Sequence, residues 1–315
     1  MKKKMFILII LLSSFYILRF PDISVHAAAN GLVLWFEQVL PSLLPFAILS
    51  NIIIVSGILP SFIGKTAPFL QKIFHVSNAG VFVLISGFLF GFPMGSKNCA
   101  ALLLVGKMDK HEAETLFIIT NNMSPVFIQN YILGQQLGLT SYFGWSILVL
   151  YLPSIVLGMF LLKKNTCNKK LQKKSASRLK INFQIVDAGI MNGFETLTKI
   201  GGYIMIFSIL ASCFLMLPMP KLLKTGCIGV IELTNGIHYL SSTVMSLESK
   251  YVLAMMFTAF GGLSGVAQTS AMIKGTGLSM KKYVMWKLVL CIITGILSII
   301  VMQLFPINPI SQQKY

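Results

Sequence analysis

The chain has 315 residues, 55% of them hydrophobic and only 11% charged, with a formal net charge of +17 and a mean hydropathy of +0.79. A soluble domain carries roughly 25% charged residues, so this chain cannot cover itself in water and reads as an all-α polytopic membrane protein. Its Lys and Arg residues cluster between apolar runs, where membrane topology accounts for them without nucleic acid, and its five cysteines show neither metal-ligand nor disulfide spacing.

Lys2, Lys3 and Lys4 open the chain ahead of an apolar run to Phe20. That run reads as a cleaved signal sequence, with VHAAAN supplying small residues, or as a retained span. The retained span is preferred, because the chain soon re-enters apolar sequence. It places the N-terminus in the cytoplasm, with residues 1–31 forming the span and an external link. A second span is expected over 38–59, with Pro41 and Pro45 near its start, where proline is tolerated. The segment 79–106 follows, interrupted by FGFPMGSKN. Its first arm is about 11 residues, or roughly 16 Å, half of a ~30 Å hydrocarbon core. Lys65 and Lys72 precede the segment and Lys107 and Lys110 follow it. A full crossing would put one pair outside, so a re-entrant hairpin is expected.

Spans are expected next over 113–133 and 141–162. The linker KKNTCNKKLQKKSASRLK then carries eight basic residues and no acid, which marks it as cytoplasmic. With the mixed segment 181–195, read as an interfacial helix, it forms a connecting unit over 163–196. A fifth span is expected over 197–217, a second interrupted hairpin over 226–248, a sixth span over 250–273, a last span over 284–304, and a tail over 305–315. This topology puts eighteen loop Lys and Arg inside and five outside, with Lys97, Lys199 and Lys287 in or near the membrane.

The second half repeats the plan of the first upside down. Residues 32–162 and 197–304 each contain a span, a hairpin, an interrupted span and a further span. Inverted repeats of this kind place solute sites at the midplane, where broken helices meet. The four breaks are GFPMGSKN, TNNMSP, ELTNG and GGLSGVAQ. They free backbone N–H and C=O groups and expose helix ends. Glycines that only allow close packing, and an Asn122 that only bonds a neighbouring helix, are the plainer readings of the same residues. Candidate solute-binding residues are Gly91, Pro93, Gly95, Ser96, Lys97, Asn121, Asn122, Ser124, Glu232, Asn235, Gly262, Ser264 and Gln268. Glu232 stands alone in mid-segment, where an ionisable residue is a functional candidate whose partner must be named. The partner expected is Lys97, at the tip of the other hairpin. Lys97 could equally hold an anionic group, and Glu232 could be a protonated structural glutamate. His238 reads as a packed histidine. No catalytic or metal-ligating set is expected. GGLSG lacks the spacing of a nucleophile elbow, HEAE lacks the second histidine of a zinc protease, and GFPMGSK lacks the gap of a phosphate loop.

The stretches LPSLLPFAILS, SGFLFGFPMGSKNCAALL, NNMSPVFI, GGYIMIFSIL, ELTNG and FGGLSGVAQ, in this order over about 35–275, resemble the sporulation integral membrane protein family called YlbJ. The resemblance implies a nucleoside recognition or gate domain, with hairpins similar to those of concentrative nucleoside transporters and a role in endospore formation. In those transporters a glutamate on the second hairpin contacts the ribose, and Glu232 falls at that place. The glycine-rich break of their following helix is matched around Gly262.

The function expected is a sporulation-associated permease of a small polar or anionic solute in the cell membrane. The alternative is a non-transporting scaffold for spore envelope assembly. The expected partners are membrane lipids and an unidentified small solute, not nucleic acid, with a homo-oligomer left open. No cofactor is expected, and a sodium or proton coupling ion is left open.

Overall fold

The computed structural model describes residues 2–163 and 182–307. The basic linker after Lys163 and most of the tail lie outside the described residues. Everything regular among the described residues is helical.

The first run forms α1 (Lys2–Arg19). The expected external link is instead helical. Helix α2 (Pro21–Leu34), a π-helical turn at Trp35–Val39 and α3 (Leu40–Ser56) form one apolar rod of 36 residues. Three short pieces follow: α4 (Leu59–Ile63), α5 (Thr66–Phe74) and α6 (Asn78–Phe90), the last turned 95° from α5. Helix α6 starts on a Ser77 cap that accepts the Gly80 N–H at 3.1 Å. It breaks at residues 91–93 and returns as α7 (Met94–Leu104). Asn98 on α7 donates to Ser86 on α6 at 2.9 Å, which pins the two arms antiparallel. The expected third span is α8 (Lys110–Ile119), a break at 120–124, and α9 (Pro125–Phe127) running into a π helix to Leu137. Helix α10 (Phe143–Leu162) closes the first half.

The expected interfacial helix and fifth span are a single helix, α11 (Phe183–Leu215), of 33 residues. The polar residues of its first half do not interrupt it because they are solvated or bonded: Asn192 accepts from Asn51 of α3 at 2.5 Å and Thr196 donates to the Asn192 carbonyl at 2.7 Å. Gly189 and Gly193 face Ile52 and Ile48 of α3, while Lys199 and Glu195 pair in the open at 2.6 Å. At ~1.5 Å per residue α11 is about 50 Å long and overruns a ~30 Å core. The second hairpin is α12 (Lys221–Ile231) and α13 (Leu233–Ser241), crossing where Gly236 lies against the Gly229 backbone. Then come α14 (Leu247–Phe260), a break at Gly261, α15 (Gly262–Met272) and α16 (Met280–Leu304).

Two ends of the bundle are defined by contacts between loops. At one end Glu112 accepts the Ser77 N–H at 2.7 Å, Lys107 donates to Ile54 O at 3.1 Å, and Lys282 pairs with Glu114 at 2.7 Å. At the other, Lys224 donates to Leu215 O at 2.8 Å, Lys250 to Ser241 O at 2.7 Å, and Tyr142 to Phe305 O at 3.0 Å. The first hairpin is rooted at the basic end and the second at the opposite end, so the halves run in opposite senses. Among the described residues five helices are long and apolar enough to cross a membrane, six if the bent α5–α6 pair is one span. Ile292, Ile296, Val156 and Phe160 on their outer faces are exposed, as lipid contact requires.

Candidate functional site

The first hairpin folds around the first break. Gly91 has φ +78°, open to glycine, and a Cβ there would strike the Ser124 backbone. The Phe92 N–H donates to the Asn122 carbonyl at 2.6 Å, so the two breaks satisfy each other. Gly87 and Gly95, one from each arm, both press on Thr120. The second hairpin meets the second break in the same manner: Gly262, at φ +72°, lies against Leu233 and Ile231, with 3.2 Å from its Cβ position to Leu233 N.

One cavity lies where these pieces meet. Its wall takes Phe92 and Pro93 from the first hairpin tip, and Met123, Ser124 and Phe127 from the first break. It takes Glu232, Leu233 and Thr234 from the second tip, and Gly261, Ser264, Gly265 and Gln268 from the second break. Val39, Ser42 and Leu43 at the end of the π turn and just beyond it, with Ile200 and Ile204 of α11, complete it. The π turn matters here because its extra residue re-aims these side chains. It is fixed by the Trp35 indole, which donates to Leu197 O at 2.8 Å and packs on Gly201. The cavity measures about 50 Å³, room for roughly four waters at ~10–15 Å³ each.

Of the thirteen residues singled out in the sequence, Pro93, Ser124, Glu232, Ser264 and Gln268 line the cavity. Most of the others support it. Ser96 donates to Pro93 O and to Asn121 Oδ1. Asn121 donates to Thr269 Oγ1 at 2.9 Å and to Tyr283 OH at 2.8 Å, joining the halves. Asn122 donates to Ile119 O and Ser154 Oγ. Gly91, Gly95 and Gly262 are close-packing glycines. Asn235 donates to Ser208 Oγ at 2.8 Å and to Glu232.

The expected Lys97–Glu232 pair is not formed. The ion pairs among the described residues are Lys199–Glu195 and Lys282–Glu114. Lys97 does not line the cavity, and its Nζ is buried without a hydrogen-bond partner. Glu232 is instead the N-cap of α13, and Thr234 and Asn235 donate to it. The local chain turn, not the other hairpin, supplies its partners. Among the described residues no Lys, Arg or His lines the cavity, so an anionic solute finds no cation from them there.

Two features leave little trace in the sequence. Lys287 on α16 is only 2% exposed, and its Nζ donates to Asn122 Oδ1 at 3.0 Å. The sequence places it in or near the membrane but does not show what it bonds. A cleft of about 540 Å³ opens at the end opposite the basic one, lined by Asp22, His26, Asn30, Ser208, Asn235 and His238. Part of its wall comes from the stretch expected to be an external link.

The chain is 29% identical to the sporulation integral membrane protein YlbJ of Bacillus subtilis (strain 168), over 318 aligned positions covering 87% of this chain and 78% of that one. No protein-family model and no solved structure matches it. The order of helices and the apolar outer faces make the chain an integral membrane protein, similar to YlbJ over most of its length.

Proposed function

We propose that the chain is a sporulation-associated permease for a small polar solute, bound in the cavity between two re-entrant hairpins. The observation that carries this reading is that one cavity takes wall from all four helix breaks. Irregular backbone at membrane depth persists only where it is buried in protein or lines a watery space. Here it does the second along one side and the first along the other. Hairpins rooted at opposite ends suit alternating access, in which one half rocks against the other about a fixed site. The basic end faces the cytoplasm on this reading, with the N-terminus inside and the wide cleft outside. A cavity of about 50 Å³ excludes a nucleoside in this conformation and admits a solute of a few heavy atoms.

The test is thiol labelling in a cysteine-free background. Single cysteines at Ser124 and Gly265, both cavity-lining, are expected to react with a water-soluble reagent. Gly265 has room, since a Cβ there is 3.6 Å from the Phe92 ring. A cysteine at Met94, fully buried and off the cavity, is expected to stay dark. Exposed controls at Lys110 and Thr140 report the two faces. Dark cavity positions beside labelled controls would mean a dry packed core, and would turn the search toward a scaffold role.

A further inference from the structure

The polar wall of the cavity holds one carboxylate, one carboxamide and four hydroxyls. Glu232 is 3% exposed and lines the cavity with no basic side chain beside it. The Thr234 hydroxyl, the Asn235 N–H at 2.8 Å and the Asn235 amide at 2.9 Å all bond one oxygen, Oε2. None of these three bonds uses Oε1. Gln268, 4% exposed, faces the same cavity. Its Nε2 donates to Ser264 Oγ at 3.0 Å. Its Oε1 is a buried acceptor with no donor.

The unpaired Gln268 Oε1 is costly to bury, and the Glu232 carboxylate without a counter-ion costs more still. A solute that brought donors would recover both. An anion would instead meet the carboxylate head on. The rest of the wall includes the rings of Phe92 and Phe127 and the aliphatic chains of Leu43 and Ile200. Such a wall suits a short alkyl group, and aromatic faces attract cations.

We propose that the cavity binds a small organic cation, a short-chain alkylammonium, with its N–H donors on Glu232 Oε1 and Gln268 Oε1 and its alkyl group on the apolar wall. This solute class rests on the permease reading.

The experiment is thermal unfolding of the purified full chain in detergent, titrated with methylammonium chloride. Sodium chloride at equal ionic strength, sodium acetate and glycerol are the comparisons. A saturable rise in Tm with methylammonium alone is expected, because a ligand that binds only the folded state stabilises it. Glu232→Gln keeps the shape and is expected to weaken the apparent affinity about tenfold or more, as the loss of a charge-assisted hydrogen bond does. Gln268→Leu leaves the carboxylate in place and is expected to cost several-fold; it carries the test if Glu232→Gln does not fold. Equal shifts in sodium chloride, a shift with glycerol or acetate instead, or undiminished affinity in both variants would each overturn the proposal. Binding is read here without transport. Failure of methylammonium to bind while the cavity cysteines label overturns the solute class alone, whereas dark cysteines overturn the permease reading itself.

Discussion

Three carboxylate or ammonium side chains are buried among the described residues, Glu112, Glu232 and Lys287, and each is held differently. Lys287 gives one bond to an amide oxygen and meets no carboxylate. Burying an unpaired ammonium costs several kcal/mol, whereas the bond lost at the Asn122 oxygen, which keeps a long one from Ser154 at 3.5 Å, costs about 1–3 kcal/mol at most. Lys287→Met is therefore expected to leave stability unchanged or raise it by about 1–3 kcal/mol, read as Tm. A drop of that size would mean the ammonium is held by more than Asn122. Glu112 sits at the basic end, ahead of the span expected from residue 113, and caps the root of the first hairpin through Ser77. Burial raises its carboxyl from the ordinary 4.5 to about 7, against the pull of the Ser77 bond. A carboxyl raised in the folded state favours the fold when protonated. That contribution is full below pH 4.5, falls as pH rises and is gone above about 7. Unfolding followed from pH 4.5 to 8 should show this slope, and Glu112→Gln, which still accepts from Ser77, should flatten it. Glu232 was legible in the sequence because a carboxylate in the middle of an apolar segment is costly to bury and marks its own position. Asn121 and Asn122 are candidate ligands by sequence and join helices in the fold. Whether an amide in a break faces a solute or a neighbour depends on helix rotation, which packing sets and spacing does not record.

At the scale of elements, the breaks were legible and the lengths of the rods were not. Glycine, proline and short polar residues interrupt a helix readily, so all four breaks stand where the sequence places them. The rods are longer than expected because mixed polar segments look like interfaces. Along α11 the polar residues are solvated or bonded, Asn192 to Asn51 of α3, and the helix runs on. The π turn at Trp35 left no signal, since it depends on an indole reaching Leu197 from another helix. The fit between hairpin and break is tight enough to test. Gly91→Ala combines a positive φ with a strike on Ser124, a cost of about 2–5 kcal/mol from strain and overpacking. Gly106→Ala has a similar φ of +70° but open space around it, and should cost about 1–2 kcal/mol. Equal Tm losses in the two variants would mean that the first hairpin tip is not clamped by the break.

For the molecule as a whole, the cleft and the cavity approach the second hairpin from different sides and are divided by one turn of α13. Asn235 lines the cleft and donates to Glu232, which lines the cavity. The same Asn235 amide donates to Ser208 of α11 at 2.8 Å. Ser208 is held in turn by Gly31 of the first rod, where a Cβ would come within 2.7 Å of its hydroxyl. This contact ties the second hairpin to the paired long rods, which is where a rocking half would have to part from them. Ser208→Ala removes the acceptor, keeps the backbone and leaves the Asn235–Glu232 bond in place. A net hydrogen bond of about 1 kcal/mol shifts an open–closed equilibrium about fivefold. The labelling rate of a cysteine at Gly265 should therefore rise about fivefold with reagent on the cleft side, with no rise from the basic side. An equal rise from both sides would mean that the variant loosens the whole bundle. An unchanged rate would place the barrier between cleft and cavity elsewhere, at the Gly229–Gly236 crossing of the hairpin arms.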